Sequence, residues 1–167
     1  DYQAQLQKIW PNPYIDGPLV TVTMIQGGRT RNATPDECTI AVDFRTAPRM
    51  DPAVAKQELM DFVAREVPWE ISHGANQLTM PGLSTDPDCG FCQESLAICR
   101  SVAGAHIQFR GEPYGTDAAW LEGRCPAIVL GPGDIAFAHA VDEKIAIAEV
   151  VRAVEIYGRM MQELGNK

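Results

Sequence analysis

The sequence predicts an α/β chain in two parts, an antiparallel sheet with helices over residues 1–75 and an alternation of helices and strands over residues 76–167. Three observations predict it. Apolar and polar residues alternate through 20–25 and again through 38–45, the period of half-buried strands. Apolar residues recur every three or four positions after Pro52, after Cys92 and after Ile147, the period of amphipathic helices. Between the two parts, residues 73–88 are rich in Gly, Pro, Ser, Asn and Asp, a composition that marks a connection.

Taken in order, Tyr2 to Trp10 reads as the end of a helix stopped by Pro11. Val20, Val22 and Met24 alternate with Thr21, Thr23 and Ile25, so the first strand has one apolar face. Gly27-Gly28 and a polar connection through Asn32 to Pro35 follow. Cys38, Ile40, Val42 and Phe44 then alternate with Thr39, Ala41, Asp43 and Arg45, a second strand expected to pair antiparallel with the first. Asp51-Pro52 is an N-cap followed by Pro at the first helical position, and Ala55, Leu59, Phe62, Val63 and Val67 form the helix's apolar stripe. Pro68 ends it, and a short strand is expected at 69–72. In the second part a helix carries Cys92, Leu96, Cys99 and Ala103, a strand is expected at 106–110, and Thr116 or Asp117 can cap a short helix reaching Leu121. Pro126 to Leu130 is unbroken apolar, the pattern of a strand buried on both faces. A last helix is expected from about Asp142 to Leu164, with Ile147, Val150, Val151, Val154, Tyr157, Met161 and Leu164 on its buried side.

Composition bounds the function. At 167 residues the chain holds about one ordinary domain or two small ones, and 46% apolar residues are enough for a core. Fourteen Lys and Arg against 22 Asp and Glu leave a charge of −8, which argues against nucleic acid or an anionic membrane as partner. No apolar run approaches the ~18 residues of a membrane span. The opening Asp1-Tyr2-Gln3 lacks both a signal-peptide pattern and an initiating Met, so a piece of something longer is expected. Five cysteines are odd in number and widely spread, which reads as reduced thiols in a cytoplasmic protein. The one close pair, Cys89 and Cys92, lacks a well-spaced second pair. Cys99 and His106 each follow at poor spacing, so a zinc knuckle is not expected.

The stretch most suggestive of chemistry is Gly131 to Glu143, which leaves the end of the expected buried strand, where α/β sheets bind ligands. Gly131 and Gly133 let backbone approach a ligand closely, and His139 lies in the loop beyond, a residue type suited to metal ligation or proton transfer. Gly131-x-Gly133-x-x-Ala136 also fits a relaxed dinucleotide fingerprint. That reading fails because no helix is expected to open at the second Gly and no acidic residue ends a following strand. Gly115-Thr116-Asp117-Ala118 is a second strand-to-helix loop, either a simple cap or a border of the same pocket. In the first part Arg45 sits on a polar strand face, suited to gripping a carboxylate or to pairing with a neighbour. Asn32 is either turn chemistry or a ligand contact, while His73 and His106 are assigned to structure or surface.

Two blocks then carry a resemblance over nearly the whole chain. Gly27-Gly28, Asn32, Pro35, Asp43-Phe44-Arg45 and Pro48 form the first. Gly115-Thr116-Asp117-Ala118, Gly131-Pro132-Gly133, Ala138-His139 and Asp142-Glu143 form the second. Together they resemble the two-zinc aminoacylases and metallopeptidases, the family of acetylornithine deacetylase, succinyl-diaminopimelate desuccinylase and carboxypeptidase G. The resemblance implies a partial lid or dimerisation domain at 1–75 and the C-terminal part of a zinc-hydrolase catalytic domain at 76–167. It implies that His139 is a metal ligand, that Asn32 and Arg45 hold a substrate carboxylate, and that Gly115, Thr116, Gly131 and Gly133 line the substrate pocket. It further implies two zinc ions per active site, with cobalt as a substitute, a homodimer formed through the lid, and hydrolysis of an N-acyl amino acid or small peptide by a metal-activated water.

The family's upstream His-x-Asp segment, its Glu-Glu pair, a later ligand carboxylate and the lid histidine have no counterpart in this sequence. The expectation is therefore the C-terminal part of an enzyme roughly twice this long, lacking the N-terminal half of its catalytic domain and inactive by itself. A non-catalytic α/β dimerisation or interaction module is the alternative from another class.

Overall fold

In a computed structural model describing residues 1–75, 78–121 and 123–165, the chain forms two compact units. The first comprises Asp1–Leu83 together with Gly111–Gly115, and the second Ser84–Arg110 together with Thr116–Lys167. Residues 78–83, grouped with the second part on sequence grounds, thus lie in the first compact unit.

The first unit is a β-hairpin with two helices. Helix α1 (Tyr2–Ile9) is capped by Asp1, whose side chain accepts from the Ala4 N–H. Strands β1 (Leu19–Gly27) and β2 (Cys38–Arg45) pair antiparallel, from Leu19 opposite Arg45 to Gly27 opposite Cys38. Helix α2 (Pro52–Glu66) starts at the expected cap, with Asp51 Oδ1 2.7 Å from the Ala53 nitrogen and Pro52 at the first position. Leu6, Ala47, Met50 and Ala55 are the buried core, and Tyr2, Trp10, Val20 and Phe44 pack on it. The ring of Tyr2 lies 4.6 Å from that of Phe62, which links α1 to α2.

The strand pairing corrects one detail. The register shifts between Val22 and Met24, so Thr23 is an extra residue. Beyond it Ile25, not Met24, is opposite Ile40 and shares a face with Val20, Val22, Val42 and Phe44. Only the Val20–Phe44 end of that face meets the helices. Val22, Ile25, Ile40 and Val42 stay exposed, Ile25 at 67%.

The second unit is built on helix α3 (Gly90–Ala103) against helix α4 (Ile147–Glu163). Ile98, Cys99 and Ile156 are buried between them, joined by Val102, Ala103, Ile107, Leu130, Met160 and Leu164. Gly104 ends α3 at φ +110, a conformation open to glycine. Two short 3-10 helices, Asp117–Leu121 and Ile135–Phe137, lie on the connection to α4. Helix α4 starts at Ile147, five residues later than expected. Its apolar residues divide between two faces, with Ala153 and Ile156 buried and Ile147, Val151, Val154 and Met161 exposed. No helix among the described residues is long and apolar enough to cross a membrane.

Among the described residues the β1–β2 ladder is the only one. The strands expected at 69–72, 106–110 and 126–130 do not form, and for two of them the structure supplies the reason. Thr85 Oγ1 accepts from the Ala127 N–H at 3.0 Å and donates to the Ala127 carbonyl, taking both groups a ladder would use. Tyr157 Oη donates to the Leu130 carbonyl at 2.9 Å, and Arg100 Nε donates to the Ile107 carbonyl at 2.8 Å. None of these segments is buried, Val129 being 52% exposed, so apolar composition alone makes no strand where a neighbouring backbone is lacking. Replacing Thr85 by Val leaves the size unchanged and removes both bonds to Ala127. Urea unfolding of Thr85→Val is expected to show a loss of about 1–3 kcal/mol. A stability equal to wild type would show that these bonds contribute nothing net.

Candidate functional site

The segment Gly131 to Ala146 leaves the α3–α4 core at Leu130 and returns to it at α4, with a fixed point near its start. The Gly133 N–H donates to Glu149 Oε2 at 3.2 Å, so the first turn of α4 holds the Gly-Pro-Gly turn. Gly133 has φ +89, and an added Cβ there would touch Ile145 at 3.4 Å. Asp134 Oδ1 accepts from the Ala136 N–H at 2.9 Å and so caps the 3-10 helix Ile135–Phe137. A three-residue turn thus stands where a dinucleotide site would need a helix. Carbonyls of Ile135, Phe137 and Ala140 accept from Ala138, Ala140 and Glu143 in succession, which keeps the loop compact. His139 sits inside this run, exposed, with φ +60, in the left-handed region that His enters more readily than most residues.

Gly115 belongs to the first unit and Thr116 to the second. A Cβ on Gly115 would come within 2.6 Å of the Met80 sulfur, so glycine lets this strap lie against Met80. Thr116 acts as a cap, its hydroxyl accepting from the Ala118 N–H at 3.3 Å and its carbonyl from the Ala119 N–H at 3.0 Å. No adjacent strand or helix is needed for either role.

On the hairpin, Arg45 Nε meets Asp43 Oδ2 at 2.7 Å, two residues along the same face of β2, and both side chains are about half exposed. A pair this exposed is worth about 0–1 kcal/mol, so an incoming carboxylate could displace Asp43 at small cost. Asn32 is exposed in the connection beyond Cys38. Arg45 lies at the opposite end of β2. At about 3.3 Å per residue the two ends of β2, Cys38 and Arg45, stand ~23 Å apart.

Among the described residues no group of three or more His, Cys, Asp or Glu side chains converges as a metal site, so His139 is a single donor. These residues do not by themselves fit a zinc ion, which takes four ligands. A cleft of about 420 Å³ lined by Glu94, Ala97, Ile98, Arg159, Glu163 and Leu164 contains none of the candidate site residues named from sequence. Sequence reasoning missed Glu149 and Tyr157 as the anchors of the loop. An acidic residue in a helix's first turn was the available signal for Glu149. Tyr157 was read as core, yet its hydroxyl is what fixes Leu130.

Residues 4–70 match the peptidase dimerisation domain, the stretch holding α1, the hairpin and α2. The relatives that follow carry the name acetylornithine deacetylase, so along most of its length the chain is similar to that branch of the aminoacylases and peptidases. The acetylornithine deacetylase of Proteus mirabilis is 27% identical over 167 residues, covering 95% of this chain and 41% of the relative. That of Myxococcus xanthus is 29% identical over 145 residues, covering 84% and 36%. That of Vibrio cholerae serotype O1 is 29% identical over 165 residues, covering 95% and 42%. The chain thus spans about two-fifths of the length of these relatives.

The backbone at His139 gives a direct test of its conformation. Left-handed geometry costs a side-chain-bearing residue about 1–2 kcal/mol and glycine almost nothing. His139→Gly is therefore expected to be more stable than His139→Ala by about 1 kcal/mol in denaturant titration. The reverse order would mean that the loop does not hold φ positive there.

Proposed function

We propose that this chain is the C-terminal part of a metal-dependent amidohydrolase that acts on N-acyl amino acids or small peptides, of the acetylornithine deacetylase type. The observation that carries the reading is the alignment of relatives with that name along 84–95% of the chain, through the lid and the Gly-Pro-Gly–His segment alike. In this reading the first unit is the lid and dimerisation layer, and the second is part of the catalytic layer. His139 is one metal ligand on a loop anchored by Glu149, and the remaining ligands, for zinc or cobalt, come from residues outside this chain. No step of the hydrolysis is assigned to the residues present. Gly115, Thr116, Gly131 and Gly133 border the substrate, and Arg45, released from Asp43, grips its carboxylate. The exposed apolar stripe of α4 and the unpaired 126–130 segment are the surfaces on which the rest of the catalytic layer would pack. Five free thiols suit a reducing compartment, the cytoplasm.

A homodimer accounts for two features together. It covers the exposed Val22, Ile25, Ile40 and Val42 face. It also allows Arg45 of one protomer and Asn32 of another to address the same substrate.

In the complete enzyme, His139→Ala is expected to lower bound metal by elemental analysis. Arg45→Lys should raise KM while leaving kcat nearly unchanged, because Lys keeps the charge and loses the two-pronged grip. Metal content equal to wild type would remove His139 from the ligand set, and an unchanged KM would remove Arg45 from the substrate site. Ile40→Asp, placed on the exposed hairpin face, is expected to convert dimer to monomer in light scattering with the helical circular dichroism retained. A dimer that survives it would put the interface elsewhere.

A further inference from the structure

The Cys89-Gly90-Phe91-Cys92 segment has no part in the reading above, and its placement is specific, with Cys92 buried in the core. Cys89 is the N-cap of α3, in extended geometry (φ −65, ψ 152), and its side chain makes no capping hydrogen bond. Cys92 is the third residue of the helix. Cap and third residue are the two positions whose side chains meet at a helix start, as they do in a capping box. With the rise and radius of an α-helix, Cα atoms three residues apart lie about 5 Å from one another, inside the ~4.4–6.8 Å Cα span that a disulfide bridges. Cys89 is near enough to Cys92 to be one of the groups that raise its thiol.

The pair is also asymmetric. Cys89 is partly accessible, whereas Cys92 is 1% exposed. Burial, then the contact with Cys89 and the charge of Asp86, push the Cys92 thiol up to about 12. One turn further on the same face, the Ser95 hydroxyl is fully buried without a partner, a polar group beside the pair that packing alone does not explain.

We propose that Cys89 and Cys92 form a thiol–disulfide exchange site for a low-molecular-weight disulfide of the glutathione type. Cys89, the accessible sulfur at an uncapped helix start, loses its proton to solvent and attacks one sulfur of the incoming disulfide, releasing the first thiolate. Cys92 then loses its proton and attacks Cys89 in the mixed disulfide, forming the Cys89–Cys92 bond and releasing the second thiolate. Both thiolates take up the protons given off. The chain is oxidised by two electrons and the small disulfide is reduced to two thiols. The ring closed by the bond is so short that it adds little stability through chain entropy, so a thiol buffer reverses it.

The test uses the full chain carrying Cys38→Ser and Cys125→Ser, which removes the two exposed thiols. After incubation with oxidised glutathione, the protein is unfolded, alkylated and mapped by mass spectrometry. The expected result is loss of alkylation at both Cys89 and Cys92, with their peptide lighter by two hydrogens, and full recovery after reduced glutathione. With Cys92→Ser added, glutathione should remain on Cys89. Should Cys92→Ser fail to fold, the mapping of the parent protein decides alone. Cys89 and Cys92 both still alkylated, or glutathione held permanently on Cys89 while Cys92 stays free, would overturn the proposal.

Discussion

Side chains hold backbone groups at many places among the described residues, and those of Gln3, Thr85, Arg100, Glu149 and Tyr157 do so outside the helix caps and turns. The Gln3 carboxamide accepts from the Val20 N–H at 2.8 Å and donates to the Pro18 carbonyl, so α1 is tied to the start of β1. Thr85 satisfies both polar groups of Ala127, and Tyr157 takes the Leu130 carbonyl. Arg100 takes the Ile107 carbonyl, and Glu149 the Gly133 N–H. A buried peptide group without a partner costs about as much as a lost hydrogen bond, so an apolar segment can be drawn inward only where such a partner waits. With a single two-stranded ladder among the described residues, these side chains decide where the remaining segments run.

The same constraint separates what could be read in the sequence from what could not. Helices carry their hydrogen bonds within themselves, so α1, α2 and α3 follow from local period and caps such as Asp51-Pro52. The hairpin is legible because both of its strands are present. The 126–130 segment has the composition of a buried strand, and composition is silent about whether a neighbour exists. The extra residue at Thr23 is equally invisible: Met24 and Ile25 are both apolar, and only pairing reveals which one joins Val22. At the candidate site, the loop with Gly131, Gly133 and His139 was found from its glycines. Its anchors were not, because Glu149 and Tyr157 act from a helix 16 and 27 residues away in sequence from the groups they hold.

The two faces left bare differ in kind. On the hairpin, the exposed apolar residues lie beyond the reach of α1 and α2, at the end distant from Arg45. On α4 the bare stripe runs along a helix whose other side already packs on α3, so the helix has apolar residues for two neighbours. A match to a dimerisation domain covers the first of these faces and stops well short of the second.

The Gly111–Gly115 strap has a consequence for how such a chain is made. It belongs to the first unit, with the Gly111 N–H bonded to the Tyr14 carbonyl at 3.1 Å and the glycine backbone pressed against Ile15. During synthesis the chain emerges in sequence order, so residues 1–83 emerge before the strap that belongs to their unit. At about 5–20 residues per second the nascent first unit spends seconds with Tyr14, Ile15 and Met80 uncovered. Helix α3 emerges within that interval, whereas its packing partner α4 emerges only after the strap. A translational pause placed before residue 111 would prolong the open state, whereas one placed after residue 115 has emerged would not.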